Sequence, residues 1–243
     1  MLSFLALIAM SITLCALPHG SARAEEKPKE DPALKASDDA FKIIPDPSGR
    51  AYFPKGKESY YTCFLAAMKE PSLMPQQVTA NAFALRFTWL RSFHEPIAIR
   101  IWREGNEYRI RGVCLAKQPD LGPGPISHDK TRKLTKDEFE KIQRIIEGTD
   151  FWKSLNDFEI FMMSGNDGAG WIFERLNQQD YSVLDLWSPR FVDKEIEKNK
   201  KNTQLFDNLG IDVTKIRKFK EYDHLGLYLL KITKLLPDEK DIY

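Results

Sequence analysis

The chain has 243 residues, 36 of them Lys or Arg and 35 Asp or Glu, with three cysteines and a formal net charge of +1. So even a balance gives no global field to gather nucleic acid or an anionic membrane surface, so neither is expected as a partner. The length suits one domain, or one domain behind a flexible leader.

The first seventeen residues are almost wholly apolar, and Pro18-His19-Gly20 stops the run before Ala22-Arg23-Ala24. Small side chains at Ala22 and Ala24 fit a signal-peptidase site, so residues 1–24 read as an export signal cleaved after Ala24. Two other readings compete. The run as an uncleaved anchor is a little short for a bilayer span of about 20 residues, and a lipoprotein attached at Cys15 would follow Leu14, a poor fit. Cleavage removes Arg23 and leaves basic and acidic side chains equal in number.

Residues 25–40 are mostly Lys, Glu, Asp, Pro and Ala, with almost nothing to bury, and predict a disordered leader. Residues 41–243 then form a single domain. Tyr60, Tyr61, Phe64, Leu65 and Met68 fall at helical spacing before Pro71, which predicts a short helix over 58–68.

Residues 82–90 alternate, with Leu85, Phe87 and Trp89 on one face and Arg86, Thr88 and Leu90 on the other. Ile97, Ile99 and Ile101 alternate in the same way, and Gly105-Asn106 turns the chain into a third strand over 107–117. Pro96 has no amide to donate and interrupts the ladder between the first two strands. The prolines and glycines of 119–125 make a loop.

Thr135 with Glu138 three positions on is a capping box, and Phe139, Ile142, Ile145 and Ile146 continue a helix over 135–147. Residues 171–174 and 181–187 predict a hairpin. Residues 191–202 read as a charged, solvated connection. A short helix over 205–209 and a longer one over 215–235 follow, the latter lined by Leu225, Tyr228, Leu229, Ile232 and, at its end, Leu236.

Three segments carry a resemblance: Leu85 through Arg100, with the pattern R-F-x-W-L-R-x-F-H-x-P-I-x-I-R, then Asp167-Gly168-Ala169-Gly170-Trp171-Ile172-Phe173-Glu174, then Trp187-Ser188-Pro189. Together they resemble a family of uncharacterised exported bacterial proteins, to which no activity, ligand or partner is assigned. The resemblance implies export and a strand-rich core, and implies nothing about a reaction. The chain departs from that family in Gly122-Pro123-Gly124-Pro125 and in a longer stretch over 191–222.

Motifs that would name a chemistry are missing. The chain has no G-x-S-x-G elbow, no phosphate-cradling G-x-x-x-x-G-K, no C-x-x-C and no H-E-x-x-H. Only His94, His128 and His224 follow the signal, too few for a histidine-built zinc site, and neither metal nor cofactor is expected. What stands out is a polar cluster set among core-like residues: Arg86, Arg91, His94, Arg100, Asp167, Trp171 and Glu174. Two carboxylates flanking a tryptophan are equipment for glycoside hydrolysis, but arginines beside them lower both pKa values and spoil the acid. The same residues make an ordinary network of Arg-carboxylate pairs that fixes strand register. Cys63 and Cys114 are a candidate disulfide, worth roughly 4 kcal/mol for a loop of about fifty residues, with two buried thiols as the alternative.

The expected fold is therefore α+β, an antiparallel sheet of hairpins packed on one face by the 135–147 helix and the C-terminal helix, with the N-terminal helix at an edge. The expected function is an exported, non-catalytic binding or interaction module of the bacterial envelope, inhibitor or immunity-type, acting on a protein or envelope ligand in the periplasm or outside the cell. The alternative is a glycan-directed hydrolase using Asp167 and Glu174.

Overall fold

In the computed structural model, residues 52–53, 59–74, 83–118, 122–147, 151–153, 168–178, 180–191, 194, 219–238 and 242 are described, all within the compact unit Ile43–Tyr243. The signal, the leader, the 205–209 helix and Asp167 lie outside the described residues.

Alternating sequence builds the centre. Six strands, β1 (Phe83–Arg91), β2 (Ile97–Glu104), β3 (Glu107–Leu115), β4 (Ile126–Lys133), β5 (Ala169–Asn177) and β6 (Asp180–Trp187), form one antiparallel sheet in the order β4-β3-β2-β1-β5-β6. The helices α1 (Ser59–Ala67), α2 (Lys136–Glu147) and α3 (Lys220–Thr233) accompany it. This is the expected α+β architecture. It contains one strand the periodicity did not predict, β4, whose Ile-Ser-His-Asp-Lys-Thr-Arg-Lys sequence hides no apolar alternation because it is an exposed edge.

The odd positions of β1 stand opposite odd positions of β2 and β5: Phe87 faces Ile99 on one side and Phe173 on the other, and Trp89 faces Ile97 and Trp171. This apolar layer carries α2 through Phe139 and Ile142, and α3 through Tyr222, Leu225 and Leu229. Each large side chain buried here contributes about 1.5–3 kcal/mol of transfer free energy. The helix α3 approaches so closely that a Cβ on Gly226 would stand 2.3 Å from the Trp171 ring, and Leu236, beyond the helix end, is exposed rather than part of its inner stripe. The capping box holds as the spacing predicts, the Glu138 amide donating to Thr135 Oγ1 at 3.2 Å and the Thr135 amide to Glu138 Oε2 at 3.0 Å.

The opposite face is covered too. Phe64 and Leu65 of α1 and Met68 just past its end, with Tyr52 and Phe53, pack on Leu90, Ala98, Val113, Leu115 and Ile172. Helix α1, expected at an edge, thus lies over the second face, because β1 is buried on both sides and an uncovered face would leave Leu90 and its neighbours wet. The sheet is an inner layer between helices, and only its outer strands and loops meet solvent.

The expected disulfide is absent. Cys63 sits on α1 against the second face and Cys114 in the core of the first, so the sheet lies between them.

Candidate functional site

On the second face the central strands bring arginines into register. Arg86 stands opposite Arg100, Arg100 opposite Arg111, and on its other side Arg86 stands opposite Glu174. Three guanidinium groups in a row would repel one another, and burial would magnify the repulsion. The chain resolves this with Glu70, which arrives from outside the sheet.

Glu70 is delivered by the end of α1. Lys69 takes a left-handed φ of 55°, its amide bonds Ala66 O at 3.0 Å, and the Glu70 amide reaches back to Leu65 O at 2.9 Å. That is a Schellman termination, which reverses the chain and sends the Glu70 side chain down into the sheet. Its carboxylate takes Arg100 Nε at 2.7 Å and Arg111 Nη1 at 2.5 Å, with Arg86 Nη1 at 3.7 Å. Tyr52 holds the Glu70 backbone by donating to its carbonyl at 3.0 Å.

The remaining donors are matched in turn. Arg86 grips Glu174 with two parallel bonds of 2.6 and 2.7 Å and donates its last nitrogen to Pro71 O at 2.6 Å. Tyr181 adds a third bond to Glu174, at 2.9 Å. Arg111 forks onto Asp129 of β4, 2.8 Å for each bond, and reaches Met68 O at 2.9 Å. Arg100 lies over the Trp102 ring at 4.2 Å. Arg86, Arg100 and Arg111 are thereby balanced by Glu70, Glu174 and Asp129, the condition under which buried charge is tolerated.

The electrostatics follow the geometry. Burial works against the Arg86 charge, but Glu174 and then Glu70 outweigh it and hold the guanidinium above its usual pKa. Burial, reinforced by the neighbouring Glu174 charge, pushes the Tyr181 phenol up, so it stays protonated and donates. The Arg111 hydrogen bonds hold Asp129 below the ordinary carboxylate range.

Of the cluster expected from sequence, Arg86, Arg100 and Glu174 meet. Trp171 does not join them, for it points to the other face beneath α3. Arg91 also turns to that side, its guanidinium 4.3 Å from the Trp89 ring and its Nη2 donating to Glu95 O at 2.9 Å. His94 lies half-buried in the β1–β2 connection. Sequence reasoning missed Glu70, Arg111, Asp129 and Tyr181. A signal existed for Arg111, which follows Ile110 in a strand just as Arg86 follows Leu85 and Arg100 follows Ile99. None existed for Glu70, since a charged residue after a helix is ordinarily on the surface.

Chemically the constellation is closed. Glu174 and Arg86 have no exposed side-chain surface and Glu70 has 1 %, and the oxygens of Glu174 already accept from Arg86 and Tyr181. A glycosidase acid must reach the bond it protonates, and Glu174 reaches none. Among the described residues no group of three or more His, Cys, Asp or Glu is placed to hold a metal. No protein-family model, no curated protein and no solved structure matches this chain, so the site is read from its own geometry.

Proposed function

We propose that the chain is an exported, non-catalytic binding or interaction module of the bacterial cell envelope, of the inhibitor or immunity type, whose partner is a protein or an envelope ligand. The observation that carries this reading is the largely buried six-residue charge network: the most chemically capable side chains of the chain are spent on fixing the end of α1 and five strands to one another. A rigid sheet locked on both faces presents strand edges and loops in fixed positions, which suits recognition. The amino-terminal sequence supports the address, and the lack of global charge agrees with a partner that is neither nucleic acid nor an anionic membrane.

The test has two arms. The chain beginning at Glu25, immobilised and exposed to an envelope extract, should retain one saturable partner that survives washing at moderate salt. Release of new reducing ends from cell-wall glycan by the purified chain, lost in a folded Glu174→Gln variant, would overturn the reading in favour of hydrolysis.

A further inference from the structure

Strand β4 ends the sheet and, among the described residues, pairs only with β3. The amide of Leu134 donates to Tyr108 O at 2.8 Å. Bonded pairs recur every second residue in an antiparallel ladder, so Arg132 and Lys130 direct their backbone groups at β3, while Asp129, Thr131 and Lys133 turn theirs outward. The Lys133 carbonyl accepts from Arg132 Nη1 at 2.9 Å, which leaves the outward main chain of Asp129 and Thr131 and the Lys133 amide along an edge whose side chains are mostly exposed.

The charges on this edge are unevenly cancelled. Asp129 is held by Arg111, Arg132 by Glu138, and Lys133 by Glu107. Lys130 and Lys234 have no carboxylate partner among the described residues. These two lysines border a hollow of about 160 Å³ floored by Ile110, Ile232 and Thr233 and walled by Arg132. A lysine on a sheet edge ordinarily wards off a neutral strand, because pairing would bury its charge. The same lysine favours a strand that brings a carboxylate to it, so the edge discriminates between the two.

We propose that β4 receives an extended acidic segment of a partner protein as a seventh strand, bonding to the outward main chain of Asp129 and Thr131 and to the Lys133 amide, and placing a carboxylate beside Lys130 and Lys234. This rests on the binding-module reading above. The other edge is a poorer receiver of acid: β6 carries Asp180 and Asp185, the former paired with Arg175 and the latter accepting from Tyr61. A second copy docking β6 on β4 is the rival occupant.

The probe is a fluorescein-labelled ten-residue peptide of alternating Glu and Val, compared by anisotropy with its Gln-Val counterpart on the purified full chain at low salt. The Glu-Val peptide should bind saturably and at least tenfold tighter than Gln-Val. Lys130→Glu combined with Lys234→Glu should weaken it at least tenfold. Thr131→Pro, which removes an outward amide and leaves the β3 ladder intact, should abolish binding at an unchanged thermal midpoint. Equal binding of the two peptides, or binding that survives the lysine reversals, overturns the proposal. So does a concentration-dependent dimer, without peptide, that Thr131→Pro dissolves, since the occupant is then a second copy. Capture of an envelope partner undiminished by Thr131→Pro and by the lysine reversals sinks the edge assignment and leaves the binding-module reading standing, whereas failure to capture any partner sinks that reading itself.

Discussion

Arg86 and Arg100 stand directly opposite each other on β1 and β2, inside the protein, and what makes this tolerable is a carboxylate that belongs to neither strand: Glu70, 2.7 Å from Arg100 Nε and 3.7 Å from Arg86 Nη1. A helix terminus is thus bound to the middle of the sheet by charge as well as by apolar contact.

Glu70→Gln should be among the most damaging single substitutions in the chain. It leaves three guanidinium groups facing two carboxylates, and removal of one partner from a buried network costs about 3–5 kcal/mol. Urea denaturation should show the midpoint falling with little change in slope. Adding Arg100→Leu restores the balance and should recover part of the loss, because the two sites share a partner. Strictly additive losses in the double variant would mean that the groups are not coupled.

The sheet was legible because β1, β2 and β3 alternate over eight or nine residues each, and an apolar period of two has one structural meaning. The polar strand β4 was not, since an edge strand needs no apolar face and leaves no period to read. Arg86, Arg100 and Glu174 announced themselves as charges among core residues, and their pairing as scaffold was a reading the spacing allowed. Glu70 was hidden by locality: it follows a helix end, and only the left-handed turn at Lys69 aims it inward. Trp171 misled in the opposite way, because successive residues of a strand point to opposite faces and a tryptophan three positions from Glu174 stands on the other side of the sheet.

Acid should destabilise the fold in a way that two carboxylates report. Glu138 is held below its ordinary pKa by the Arg132 hydrogen bonds first, and Asp129 by those of Arg111. A depressed folded-state pKa gives stability that is present above the unfolded value and lost as pH falls through the folded one. The loss should therefore set in below about pH 4, the unfolded carboxylate range. Asp223 has the opposite sign: burial raises its pKa against the pull of Arg190, Lys194 and His224, so its charge costs stability at neutral pH and the cost is relieved on acidification. Glu138→Gln should cost at most about 1 kcal/mol at pH 7 and flatten the acid limb of a stability-versus-pH curve, whereas Asp223→Asn should steepen it. The same slope in all three proteins would contradict this assignment.

Both α1 and α3 end on a lysine in the left-handed region, Lys69 at φ 55° and Lys234 at φ 61°. Glycine takes that conformation without the Cβ penalty, so Lys69→Gly or Lys234→Gly should raise stability by a few tenths to about 1 kcal/mol, net of the entropy glycine adds to the unfolded chain. Thermal midpoints of the two variants decide it, and a fall in both would show that the lysine side chains contribute more than the turn costs.

Cys63 and Cys114 should not join under oxidising conditions while the fold is intact. Mass analysis of the non-reduced chain should find no crosslink between the two peptides. Labelling of Cys114 should be slow in the native state, because burial raises its thiol pKa and holds it as the unreactive protonated form. A native Cys63–Cys114 bridge would require the sheet to be elsewhere than between them.

The seat of α3 on the sheet is the most exacting fit in the core. A methyl group at Gly226 would lie 2.3 Å from one Trp171 ring carbon, 2.8 Å from a second and 3.1 Å from Phe87. Neither ring can yield, for Trp171 packs against Trp89 and Phe87 with centroids 5.4 and 5.2 Å away, and Phe87 stacks on Phe173 at 4.8 Å. Gly226→Ala gains helix propensity of about 1 kcal/mol, yet overpacking a filled core costs typically 1–3 kcal/mol and more where nothing can move. The overpacking term should win here, giving a lower thermal midpoint and an altered near-ultraviolet spectrum as the tryptophans shift. Gly105→Ala is the control: its φ of 61° is strained for alanine but nothing lies within 4 Å, so it should lose about 1 kcal/mol with the aromatic spectrum unchanged. If Gly226→Ala proved as mild as Gly105→Ala, α3 would have to sit farther from β5 than the contact with Trp171 requires.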